Sequence, residues 1–131
     1  KEKEQAVQQV SQTGASMSAS DSELALLAAI IQCEAGNEVY EGQLAVGAVV
    51  MNRVRSGSYP GSISGVINAP SQFPPATNGK VAAVIANGPS ASCVEAAQAA
   101  IDGATNVGGA THFRAASSGQ AGVVIGNHVF W

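Results

Sequence analysis

The sequence predicts an α+β domain that is mainly α: a helical body, one small β-hairpin and long loops that form a cleft. Three observations predict it. Leu24, Leu27, Ala28 and Ile31 recur at helical spacing. Two further segments, QLAVGAVVMNRV and SASCVEAAQAAIDG, are apolar or alanine-rich and end on polar residues or glycine. Only residues 111–131 carry β-like runs, THFRA and VVIGNHVFW, with a Ser/Gly-rich connection between them.

Residues 1–20 are polar and lack a sustained apolar stripe; EQAVQQV suits one or two helical turns, and the Ser/Gly stretch after it reads as a linker. Residues 21–131 form the domain. Ser20 and Glu23 have the spacing of a capping box ahead of the first helix, and Gly36 with Asn37 suits its end. QLAVGAVVMNRV is apolar on nearly every side, so a buried helix is expected, with a buried strand as the rival reading. Its glycine, Gly47, would let another helix approach closely. SISGVINAP suits a short helix stopped by Pro70. In SQFPPATNGKV, Pro74 and Pro75 are expected to exclude regular structure. A further helical piece is expected in KVAAVIANG. Residues 90–103 then make an alanine-rich helix with a Ser cap and a terminal glycine.

At 131 residues the chain is one domain, and a hydrophobic fraction of 46% supports a core without metals or cross-links. Charged residues are only 11%, against about a quarter in an average protein. The net charge is −3, and no run of Lys or Arg occurs. Phosphate binding needs clustered cations, so neither nucleic acid nor an anionic membrane surface is expected as a partner. No apolar stretch reaches the roughly 18–20 residues of a membrane span. No secretory leader is recognisable, and a mature or trimmed form is expected. Cys33, Cys93, His112 and His128 lack CxxC and HxxxH spacing. No metal site and no cofactor are therefore expected. The two cysteines are either buried thiols or, in an exported chain, one disulfide.

Three of the nine carboxylates, Glu34, Glu38 and Glu41, lie within eight positions. At about 100° per residue, Leu27, Ile31 and Glu34 share one narrow sector of the first helix. Glu34 thus sits on the apolar stripe, in the last turn, where the backbone dipole is negative. Both surroundings disfavour its ionised form. A carboxyl kept neutral near pH 7 can donate a proton, as a general acid acting on a glycosidic oxygen must. The plain alternative is a glutamate bent out to solvent at a frayed end. Glu38 is expected to be solvated, and Glu41 to cap the second helix. A thiolate nucleophile at Cys33 is disfavoured, because it lies near a helix C-terminus. No G-x-S-x-G supports serine chemistry.

CEAGNEVYEGQLAVGAVVMNRVRSGSYPGSISGVI closely resembles the signature of the spore-cortex-lytic, SleB/CwlJ-type cell wall hydrolases. SQF at 71–73, CVEAAQAAIDG and IGNHVFW extend the resemblance over residues 21–131. It implies a lysozyme-like fold and cleavage of peptidoglycan between N-acetylmuramic acid and N-acetylglucosamine. It implies a catalytic glutamate at the end of an early helix, a position matched only by Glu34. It also implies a lytic transglycosylase route; a hydrolase using Glu38 or Glu41 to activate water, and a non-catalytic wall-binding module, are the alternatives. Tyr40, Gln72, Phe73 and His128 are the expected substrate-binding residues. THFRAASSG departs from the family's usual Tyr/Phe-Asn segment, so His112, Phe113 and Arg114 alter what binds there. The expected partner is a peptidoglycan glycan strand, met by a monomer exported to the cell wall or spore cortex. That location favours a Cys33–Cys93 disulfide.

Overall fold

The computed structural model describes residues 19–70 and 72–131. The expected helical turns at EQAVQQV lie outside the described residues. Helix α1, Asp21–Ala35, opens with the expected capping box: Ser20 Oγ accepts the Glu23 N–H at 3.2 Å, and Glu23 Oε1 accepts the Ser20 N–H at 3.5 Å. A helix cap of this kind stabilises by about 0.5–2 kcal/mol. Leu27 to Ile31 are fully buried.

Helix α2, Tyr40–Ser56, is buried from Gly42 to Met51. The strand alternative for this segment is thereby set aside. The helix stops at Gly57, whose φ of 80° suits glycine. Three short helices follow: α3 (Ile63–Ile67), α4 (Pro74–Thr77) and α5 (Lys80–Asn87). The one-turn α4 corrects the expectation that Pro74 and Pro75 exclude helix. They occupy the first helical positions, where no N–H is needed and a fixed φ is an advantage. Helix α6, Ala91–Ile101, is capped by Ser90 Oγ, which accepts the Cys93 N–H at 3.3 Å.

Helices α1, α2 and α6 pack on one another and hold the core. Gly47 is where they meet: a Cβ there would lie 3.1 Å from both Ala100 Cβ on α6 and Ile31 Cδ1 on α1. Cys93, with no exposed surface, fills the core as a small apolar side chain, and Cys33 is half-buried on α1. Both are free thiols, which corrects the expected disulfide. The contact between α1 and α6 is closed by apolar packing, in which Cys93 takes part as a side chain.

The C-terminal segment is a three-stranded antiparallel sheet in the order β1-β3-β2, from β1 (Phe113–Ala115), β2 (Val123–Ile125) and β3 (His128–Phe130). One hairpin was expected between THFRA and VVIGNHVFW. The second run instead folds back on itself at Gly126–Asn127, and β1 adds to the far side of β3. Gly126 adopts φ 57°, as a two-residue hairpin loop requires. Val129 and Phe130 are buried, and Phe130 belongs to the main core. The loop before the sheet is tied to α2: Asn52 Nδ2 donates to Gly108 O at 2.9 Å and Ala110 O at 2.8 Å, and Arg53 Nε to Thr111 O at 2.7 Å. Among the described residues no helix is long and apolar enough to cross a membrane.

Replacing Gly47 by valine should overpack the three-helix contact. We expect a loss of about 1–3 kcal/mol in the unfolding free energy, read by denaturant titration.

Candidate active site

Glu34 stands in the last turn of α1, one turn beyond the buried Ile31 and itself half-buried. Burial pushes its carboxyl above the ordinary 4.5; the charges of His128 and Lys80 pull partly the other way. The two opposing groups come from separate elements, β3 and the start of α5. The sequence places the glutamate on an apolar stripe; the fold supplies the desolvation, and β3 and α5 bring the charges that oppose it. Next to it, burial and then the Glu34 charge push the Cys33 thiol up, which leaves it a poor nucleophile.

Glu38 was expected to be solvated. Instead its carboxylate clamps the turn between β2 and β3: Oε1 accepts the Asn127 backbone N–H at 2.9 Å, and Oε2 accepts from Asn127 Nδ2 at 2.9 Å. These two bonds, ahead of any nearby charge, hold its carboxyl below 4.5. A Cβ on Gly126 would collide with Glu38 Oε1, so the turn needs glycine for space as well as for φ. Nδ1 of His128 lies 4.0 Å from the same oxygen. Glu34 and Glu38, four residues apart, are thus driven in opposite directions, one toward the acid and one toward the carboxylate. Glu41 stays in the first turn of α2, where a negative charge suits the helix dipole. It lines a shallow groove of about 430 Å³ with Val39, Asn106, Val124 and Gly126.

The four expected binding residues fall into different surroundings. His128 is half-buried beside Glu34 and Glu38. Tyr40 opens α2 and packs against the core. Gln72 is exposed, and its Oε1 accepts from Arg53 Nη1 at 3.1 Å. Phe73 is only 4% exposed, so its ring serves packing and offers no open face to a sugar. The Arg53 guanidinium lies over it at 5.4 Å and over Tyr59 at 5.1 Å. Phe113 joins the two groups: its ring centre is 6.4 Å from Phe73 and 5.6 Å, edge-on, from His128. On the edge of the sheet, His112 stacks on Trp131 at 5.3 Å, with Arg114 over the same indole at 5.4 Å.

Sequence reasoning missed Asn127, Lys80 and Arg53. The Gly-Asn pair at 126–127 is a hairpin-turn signal and could have exposed Asn127. Nothing in the sequence connects Lys80 to Glu34, since the link is made by helix packing. Among the described residues no three of His, Cys, Asp and Glu gather as a metal site would need.

A family model described as "Cell Wall Hydrolase" matches residues 37–131. The chain belongs to the cell wall hydrolase family. Glu34 lies three positions before the matched range. Among curated relatives, a spore cortex-lytic enzyme of Halalkalibacterium halodurans is 32% identical over 119 residues, covering 85% of this chain and 35% of that protein. A spore cortex-lytic enzyme of Bacillus subtilis is 40% identical over 62 residues, covering 47% of this chain and 20% of that one. The chain therefore spans about a third or less of the length of these relatives. The crystal structure of the catalytic domain of the Bacillus cereus SleB protein superposes with a TM-score of 0.75 at 30% identity, covering 88% of this chain and 94% of that one. The catalytic domain of a germination-specific lytic transglycosylase, SleB from Bacillus anthracis, gives 0.75 at 29%, covering 86% and 95%. The chain thus shares the mainly helical fold of these catalytic domains.

The two shifted carboxyls make opposite contributions to stability. Glu34 has a raised value in the fold, so its contribution is full below the unfolded carboxyl range and is lost as pH rises through the folded value. At pH 7, Glu34→Gln should raise the thermal midpoint. Glu38 has a lowered value, so its contribution is present above the unfolded range and is lost as pH falls through the folded one. Glu38→Ala should cost about 1 kcal/mol at pH 7, and the difference should shrink below pH 4.5. Thermal unfolding of both variants across pH checks the two signs.

Proposed function

We propose that residues 21–131 form a catalytic unit that cleaves the bond between N-acetylmuramic acid and N-acetylglucosamine in peptidoglycan, as a lytic transglycosylase. The observation that carries this reading is Glu34: a half-buried carboxyl at a helix end, held toward its neutral form by burial. The neutral acid donates its proton to the bridging oxygen, and the bond from the muramic C1 to that oxygen breaks. The cation left at C1 is attacked by the C6 hydroxyl oxygen of the same sugar. The Glu34 carboxylate takes the hydroxyl proton, an anhydro ring closes, and the acid is regenerated. One group serves as acid and then base, so no second carboxylate is called for.

The state of Glu38 supports a one-carboxylate route. Its two oxygens are each bonded to Asn127, and it braces a turn. Glu41 lines the groove beside Val124 and Gly126. The hydrolytic alternative would need one of them to hold and activate water. The names of the related proteins agree with wall cleavage: spore cortex-lytic enzymes and a germination-specific lytic transglycosylase. We place the chain's substrate outside the membrane, in cell wall or spore cortex. Tyr40, Gln72 and His128 remain the residues proposed to meet the glycan, with Phe73 packed against Phe113 and under the Arg53 guanidinium.

The purified protein should lyse cell wall, and Glu34→Gln should lower the rate at least 100-fold, as loss of a general acid does. Mass spectrometry of the soluble fragments should find anhydro-muramic ends. Reducing ends would favour the hydrolase, and wall binding without lysis would favour the binding module. Unchanged lysis by Glu34→Gln would remove Glu34 from the mechanism.

A further inference from the structure

We propose that Glu38 is a positioning residue that acts through His128 on the reactivity of Glu34. This rests on the reading of Glu34 as the proton donor. The geometry is a chain of three side chains from three places in the fold. Glu38, between α1 and α2, takes the Asn127 backbone N–H on Oε1 and the Asn127 amide on Oε2. The residue after Asn127 is His128, whose Nδ1 then lies 4.0 Å from Oε1. That Nδ1 is buried and has no hydrogen-bond partner. It is too far from Oε1 for a direct bond, so the ring is placed by the turn that Glu38 clamps.

The rest of the surroundings leave His128 little freedom. Its ring meets the edge of Phe113 at 84° and lies 6.1 Å from Phe130. Its strand partners, Ala115 and Ile125, carry no titratable group. The charges facing it are Glu38 from the α1–α2 loop and Glu34 from the end of α1. Lys80, from α5, acts on Glu34 from another element, and Cys33 is beside it on α1. A side chain on Gly126 would push Glu38 away, so the turn and the carboxylate are fitted to each other. Glu38 thus fixes the place of the imidazole, through the turn that carries it.

The consequence is a coupling that a merely structural brace would not show. A positive charge at His128 favours the ionised form of Glu34. His128→Gln removes that charge, so Glu34 keeps its proton to higher pH. The lytic rate on the alkaline side of the optimum should then rise about threefold relative to the rate at the optimum. Glu38→Gln should move the alkaline limb as well, because a neutral amide cannot accept both Asn127 bonds and the imidazole loses its fixed place. In a His128→Gln background, the same Glu38→Gln change should leave the limb in place.

The test is the full pH–rate profile of wall lysis for the wild type, both single variants and the double variant. NMR titration of the Glu34 carboxyl carbon in the same four proteins reads the coupling without turnover. A Glu38→Gln effect that vanishes without His128 supports the proposal. An equal effect in both backgrounds, or none in either, overturns it. Should Glu38→Gln fail to fold, Asn127→Gly, which deletes one clamp bond and keeps the backbone N–H, is read by the same rule. Glu34→Gln separates the two levels: if it retains lysis, the assigned function itself falls; if it is inactive while the limb shows no coupling, only the role of Glu38 falls.

Discussion

The constraint on which the structure depends is the close approach of α1, α2 and α6 at Gly47. Side chains on these helices are mostly small: Ala28, Ala29, Ala45, Ala48, Ala96, Ala97 and Ala100 are all fully buried. Small residues bring helix axes near, and the larger Leu27, Ile31, Leu44 and Met51 then fill what remains. Because α1 is gripped on two sides, its last turn cannot swing into water. The partial burial of Glu34 follows from that grip, as does the upward push on its carboxyl. In this way an apolar contact in the middle of the molecule sets the protonation chemistry at its edge.

The sheet is attached by different means. Three strands of three residues each bury little surface of their own, and a ribbon this short is not stable alone. It is held by Phe130 in the core, by the Arg53 and Asn52 bonds to the preceding loop, and by the Glu38 clamp on its β2–β3 turn. Arg53 is buried, with aromatic rings on two sides and oxygen acceptors at Thr111 and Gln72. Its guanidinium is weakly hydrated and planar, which suits it to this place better than a lysine would be. The sheet carries His128 to the end of α1 and therefore completes the surroundings of Glu34.

The helices were legible because their signals are local. Ser20 and Glu23 cap, the apolar stripe repeats, Ser90 caps again, and Gly47 marks a close approach. The sheet was only half legible. Two β-like runs were visible, but the Gly126–Asn127 turn inside the second was passed over, so two strands were read where three exist. The one turn of helix at Pro74 was missed because proline was weighed as a breaker and not as a helix starter. The disulfide was inferred from compartment and cysteine count, neither of which carries information on where two helices place their thiols.

The residue pattern alone showed the longer helices, where the Ser-capped ones begin, and that one glutamate sits on an apolar stripe at a helix end. These properties depend on residues at most four positions apart, and spacing encodes them directly. The states of the two neighbouring glutamates were set by contacts between segments far apart in the chain. Glu38 and Asn127 are separated by 89 positions, and Glu34 meets groups from β3 and α5. Only three residues lie between Glu34 and Glu38, but what sets them apart is the packing of distant segments against each, and no local pattern records it.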